Sequence, residues 1–146
     1  ISGEKHWWLS VNHDKENKIV RFSFVDHGVG ILTSLDRKPL GSKWYGLIDG
    51  AKSVLGIRTN DEFLKEIMAG RIHETVTRKK YRGKGLPNIK RMIDFNRIGK
   101  LHVISNNVYA EIQDEKYRLL SCDFKGTFFY WEMCENNSSR PWPISI

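Results

Sequence analysis

Apolar residues recur at every second position near both ends of this chain and at helical spacing in its middle. That order constrains the fold more than any other feature. His6–Val11 (HWWLSV) and Ile19–Asp26 (IVRFSFVD) read as two strands; in the second, Val20, Phe22 and Phe24 alternate with Arg21 and Ser23. The polar stretch Asn12–Lys18 suits a hairpin connection, and Gly28 and Gly30 end the second strand. Ser42–Leu55 reads as a helix between a serine cap and Gly56. Asn60 or Asp61 caps a second helix that carries Phe63, Leu64, Ile67 and Met68 on one face and stops at Gly70. A third helix starts near Pro87, carries Ile89, Met92 and Ile93, and is closed by Gly99. Leu101–Ser105, Tyr109–Ile112, Tyr117–Cys122 and Thr127–Met133 then form a β-meander, followed by an irregular tail over 135–146. The expected class is α+β: a two-layer α/β sandwich with a mixed, mostly antiparallel sheet and helices on one face.

Composition permits such a core. The 146 residues are 40% hydrophobic and 12% aromatic, so disorder over the whole length is excluded as a class. No stretch approaches the roughly 18 apolar residues of a membrane-spanning helix. Cys122 and Cys134 are too few for a disulfide scaffold or a four-ligand zinc site, and read as reduced thiols of a cytoplasmic protein. The five histidines show no metal-ligand spacing, so no metal site is expected. The chain begins Ile1-Ser2-Gly3, which suggests a piece of a longer protein.

The charge is local. Residues 71–91 hold eight of the 24 Lys and Arg against one of the 17 Asp and Glu, leaving 16 against 16 elsewhere. The whole excess of +7 therefore sits in one segment, which points to a local anionic partner as well as to an ordinary solvated face.

Three glycine-bearing sites carry candidate chemistry. Asp26-His27-Gly28-Val29-Gly30 follows a strand. A carboxylate fixed there accepts a hydrogen bond from a ligand amine, and the glycines let the backbone turn. Gly83-Lys84-Gly85-Leu86 opens the third helix, where exposed N–H groups and the helix dipole favour an anion. It lacks the P-loop spacing. Gly126-Thr127 opens the apolar strand Phe128-Phe129-Tyr130-Trp131. Singly, each site is as well read as a turn or a capped helix. Trp7, Trp8, Phe22, Phe24, Phe128, Phe129 and Trp131 are expected to pack in the core rather than form a base-stacking platform.

In order, spacing and context, the three sites together resemble the ATP-binding domain shared by histidine kinases, gyrase, large heat-shock chaperones and mismatch-repair ATPases, the Bergerat or histidine-kinase-like fold. FSFVDHGVGI is similar to its Asp-x-Gly-x-Gly box, YRGKGLPNIKRMI to its lid-closing Gly-x-Gly-Leu box, and FKGTFFYWEM to its Gly-Thr box. GKLHVISN looks like the strand between the last two boxes, and the resemblance spans residues 6–133. It implies an ATP- or ADP-binding domain over residues 1–134 of a larger bacterial signalling or regulatory protein, with further protein contacts through the rest of that protein. Asp26 would accept from the adenine amine, Gly28 and Gly30 would admit the base, and Gly83 and Gly85 would line the triphosphate, with Lys84 and Leu86 beside them in the same nucleotide-binding box. Thr127 would sit near adenine. Lys79, Lys80, Arg82 and Lys84 as phosphate contacts follow from charge alone. Two differences stand out. The family's N-terminal helix, whose Asn holds Mg²⁺, is not found, so Mg²⁺ is expected only with an upstream helix and the fragment alone is expected to be inactive. The stretch from Asp26 to Gly83 is also long for a kinase.

Two other functions are compatible with the residues. A nucleic-acid-binding module using residues 71–91 predicts steep salt dependence and no adenine preference. An ATPase-like interaction scaffold predicts neither ligand. Nucleic acid is the less favoured partner, because DNA would explain the charge but not the aspartate–glycine box.

Overall fold

The computed structural model describes residues 6–36, 50, 52–72 and 85–137. Strands β1 (Trp7–Asp14) and β2 (Ile19–Asp26) form a hairpin, followed by helices α1 (Ile31–Asp36), α2 (Asn60–Met68) and α3 (Gly85–Asp94). Strands β3 (Gly99–Glu111) and β4 (Lys116–Cys134) complete one antiparallel sheet in the order β1-β2-β4-β3. The architecture is α+β. No helix among the described residues is long and apolar enough to cross a membrane.

The β1–β2 register is continuous from Trp7 opposite Asp26 to Asp14 opposite Ile19. The turn is closed by the Asp14 carboxylate, which accepts from the Asn17 backbone N–H at 3.0 Å and from the Asn17 side chain at 2.9 Å. Those two bonds, with Arg21 beside them, hold the Asp14 carboxyl down at about 2.

β3 doubles back on itself. Ile112 N–H donates to the Leu101 carbonyl at 2.9 Å, and His102 Nδ1 lies 2.8 Å from Tyr109 Oη. A straight strand would hold residues seven apart more than about 20 Å from each other. The reversal falls at Asn106, whose φ is 54°, where the pairing with β4 shifts register. The arm 99–105 pairs with 127–132 of β4, and the arm 108–111 pairs with 116–119. The four strand candidates of the tail are these four arms. Leu101, Val103 and Ser105 point inward before the reversal, and Val108, Ala110 and Ile112 after it. The two-residue turn restores the inward parity that a bare chain reversal must preserve.

The core lies between these arms and α2. Phe63, Leu64, Ile67, Met68 and Ile72 pack against Leu101, Val103, Val108, Ala110 and Ile112, all 2% exposed or less. Helix α2 starts where Glu62 reaches back to the backbone N–H groups of Arg58 and Thr59, so Thr59 rather than Asn60 or Asp61 is the cap. It ends at Gly70, which has a φ of 81°, as expected. Helix α3 ends earlier than expected. Asn96, with φ 51°, takes the left-handed position, and Arg97 N–H reaches the Met92 carbonyl at 2.8 Å. That is a Schellman closure. Gly99 instead begins β3. Most of the expected Ser42–Leu55 helix lies outside the described residues, as do residues 138–146 of the tail.

One core assignment is corrected. Trp7 is 62% and Trp8 54% exposed. The core cluster lies on the β3–β4 side of the sheet and includes no residue of β1, whose residues are exposed from Trp7 to His13. Phe22, Phe24, Phe129 and Trp131 are half-buried, with Phe22 stacked on Trp131 at 5.0 Å. On the opposite face Glu132 accepts from Tyr130 Oη at 2.5 Å and pairs with Arg21 and Lys100. Burial would raise its carboxyl, but these donors and charges outweigh it and hold it below its usual range.

Leu64→Ala should lower the unfolding free energy by about 2–5 kcal/mol, because its site is fully enclosed; a urea titration reads this. A carboxyl whose folded pKa is depressed stabilises the fold above its unfolded value, near 4.5 for Glu132, and loses that contribution as pH falls through the lowered folded value. Glu132→Gln should therefore be less stable than the native chain at pH 7 and lose less stability on acidification; urea midpoints measured down to about pH 3 check both.

Candidate functional site

Asp26 ends β2, directly opposite Thr127 of β4, which in turn lies opposite Ser105 of β3. Three neighbouring strands thus present a carboxylate, a hydroxyl and a second hydroxyl in one row. Alternation along each strand aims all three toward the helix-bearing face. Thr127 and Ser105 are buried, with their hydroxyl oxygens 3.4 Å apart. Asp26 Oδ1 accepts from the Gly28 N–H at 2.8 Å, and its Oδ2 has no hydrogen-bond partner among the described residues.

A cavity of about 400 Å³ opens over this row. Asp26 and Thr127 line it from the sheet, Gly85, Leu86 and Ile89 from the start of α3, and Ile31, Ser34 and Leu35 from α1; Ile67 and Phe129 complete the wall. Four of the eight residues singled out from the sequence, Asp26, Gly85, Leu86 and Thr127, therefore share one space. They come from three boxes spread over about a hundred positions. Gly85 is the first residue of α3, as expected for a glycine that opens a helix. Gly83 and Lys84, and the basic residues Lys79, Lys80 and Arg82, lie outside the described residues.

Gly28 and Gly30 do not line the cavity. A Cβ on Gly28 would lie 2.8 Å from Asp26 Oδ1, so its lack of a side chain lets the carboxylate fold onto its N–H. Gly30 has a φ of 82°, and a Cβ there would meet Asn106 Oδ1 at 2.5 Å. Gly126, with φ 133°, is the tightest: a Cβ would fall 2.0 Å from the Asp26 carbonyl oxygen. Glycine at 126 is what allows the Asp26 and Thr127 backbones to run side by side.

Ser105 and Asn106 were not among the expected site residues, although they lie in the quoted segment GKLHVISN. They hold the turn after Asp26. Ser105 Oγ accepts the Ile31 N–H at 2.8 Å, and Asn106 Oδ1 accepts the Leu32 N–H at 3.1 Å. Asn106 Nδ2 donates to the Val29 carbonyl at 3.1 Å and to Thr33 Oγ1 at 2.7 Å. Ser105 Oγ also donates to the Gly126 carbonyl at 3.2 Å. The first N–H groups of α1 are thus capped from 74 positions away. The sequence signal was a serine at the inward parity set by Leu101 and Val103, where an apolar residue is due.

No group of three or more His, Cys, Asp or Glu suited to a metal occurs among the described residues. Cys122 and Cys134 are free thiols, the first exposed and the second half-buried. Compared with models of protein families, with curated proteins and with solved structures, the chain finds no match in any of the three.

Asn106→Ala should lower stability by about 2–3 kcal/mol, since it strips partners from buried backbone groups. Gly30→Ala should be less damaging in the Asn106→Ala background than in the native chain, because the obstructing side chain is gone. Additive effects in a double-mutant cycle of urea unfolding would contradict this contact.

Proposed function

We propose that this chain binds an adenine nucleotide in the cavity between α1, α3 and the β2–β4 pair. The observation that carries the reading is the gathering of Asp26, Gly85, Leu86 and Thr127 around one space. The chemistry of the lining fits. Ligand sites of about 300–1,000 Å³ are mostly apolar with a few fixed polar groups. Here Leu35, Ile67, Leu86 and Ile89 offer apolar walls for a flat base. The Asp26 carboxylate is an acceptor only, so it selects an N–H-bearing edge such as the exocyclic amine of adenine. The Thr127 hydroxyl both donates and accepts. The base would lie against Asp26 and Thr127, and the phosphates toward the start of α3, where helix polarity favours an anion. Lys84 immediately precedes that helix in the sequence, and with Lys79, Lys80 and Arg82 it supplies the basic charge that phosphates need. The resemblance to the Bergerat-fold ATPases supports the same assignment. A role in a cytoplasmic signalling or regulatory protein belongs to this proposal too.

Calorimetric titration with Mg-ATP, Mg-ADP and Mg-GTP tests it. Saturable binding of the two adenine nucleotides is expected, weakened at least about tenfold by Asp26→Asn, the worth of one charged hydrogen bond. Equal binding of GTP, or binding indifferent to Asp26→Asn, would replace the adenine pocket with a general polyanion site. Absence of binding would remove the proposal.

A further inference from the structure

The outer edge of β1 is the feature that neither the cavity nor the proposed ligand uses. β1 is a terminal strand of the sheet, and its eight pairs with β2 run without a bulge. Natural edge strands are guarded by lysine, proline or bulges against pairing with another chain. Trp7–Asp14 contains none of these. Its side chains are instead apolar and open: Trp7, Leu9 and Val11 are 62%, 51% and 56% exposed, all on the helix-bearing face.

The backbone polarity of that edge is fixed. The His6 carbonyl accepts the His27 N–H, so the even-numbered residues of β1 turn their backbone groups toward β2. Trp7, Leu9, Val11 and His13 therefore turn theirs outward. An antiparallel copy must match outward groups with outward groups and keep each face in register. Centring a two-fold axis on Ser10 does both. Leu9 then falls opposite Val11 of the second copy and Trp7 opposite His13, as hydrogen-bonded pairs. Ser10 meets its own counterpart, and His6 falls opposite Asp14. A register shifted by one residue would set Trp7 against Asp14 and leave the outward groups without partners.

We infer that β1 pairs with β1 of a second copy of this chain, joining two sheets into one across a two-fold axis at Ser10. The stripe of Trp7, Leu9 and Val11 from each copy is then continuous over the junction.

Sedimentation equilibrium of the 146-residue chain should show a mass rising from 17.0 kDa toward twice that value with concentration. Leu9→Lys with Val11→Lys, at exposed positions, should hold it at the monomer mass while its circular dichroism is unchanged. Cysteine cross-linking tests the register without depending on that variant. Ser10→Cys should oxidise to a covalent dimer, because non-hydrogen-bonded antiparallel partners have Cα atoms about 4.5 Å apart, within disulfide reach. Asn12→Cys, which would face Trp8 of the second copy, should not, and it carries the same Cys122 and Cys134 as background. A monomer mass at every concentration, or equal cross-linking of the two cysteine variants, would overturn the inference.

Discussion

The carboxamide of Asn106 is the constraint on which the rest of the site depends. It accepts one backbone N–H, donates to one carbonyl and one hydroxyl, and does so from the tip of a strand reversal. Ser105 beside it ties the same turn to Gly126. Two adjacent polar side chains therefore link the loop after β2, the start of α1 and the start of the last β4 arm. Unmade bonds inside a low-dielectric interior are expensive, so the arrangement tends toward all or nothing. The position of Asp26 relative to Thr127 follows from it. Their strands can run at pairing distance only because residue 126 has no side chain, and the loop after Asp26 can close only because residue 30 has none.

Much of the architecture was legible because it is local. The period-two run of Ile19–Asp26, the apolar face of α2 and its stop at Gly70 each arise within a few residues of the signal. The hairpin turn was placed too early, because β1 runs on through Asn12 to Asp14 and the turn is confined to residues 15–18. The four tail strands were legible for the same reason. Helix α1 was not, because it is six residues long and its N–H partners come from β3. The end of α3 was misplaced because Asn96, not a glycine, adopts the left-handed conformation. Trp7 and Trp8 were misassigned because alternation shows which residues share a face, but not whether a helix lies over that face. Of the candidate site, Asp26, Gly85, Leu86 and Thr127 converge, whereas Gly28 and Gly30 shape the turn behind the cavity wall.

The sheet is divided in use. Its β3–β4 half is covered by helices and holds the enclosed core. Its β1–β2 half carries aromatic residues that are open or half-open on the same face. The cavity lies at the boundary, with α1 and α3 on one side and Asp26 on the other. Between α3 and the sheet a second, apolar groove of about 390 Å³ runs past Ile89, Met92, Phe24 and Trp131. Helix α3 has no fully buried residue, although Leu86, Ile89 and Ile93 lean against the core. Of the two helices, α3 is therefore less deeply buried than α2, which encloses Phe63, Leu64, Ile67 and Met68.

The pairing of Asp26 with Thr127 also bears on when the site can exist. The two residues stand about a hundred positions apart in the chain, and Ser105, which lies between them in sequence, pairs with Thr127. Contacts of such long range carry the largest loop-closure entropy and are made after the local turns and helices. The cavity therefore belongs to the completed fold and to no partial one. A ligand that binds there binds the native state alone, and it stabilises the chain by an amount set by its free concentration relative to its dissociation constant.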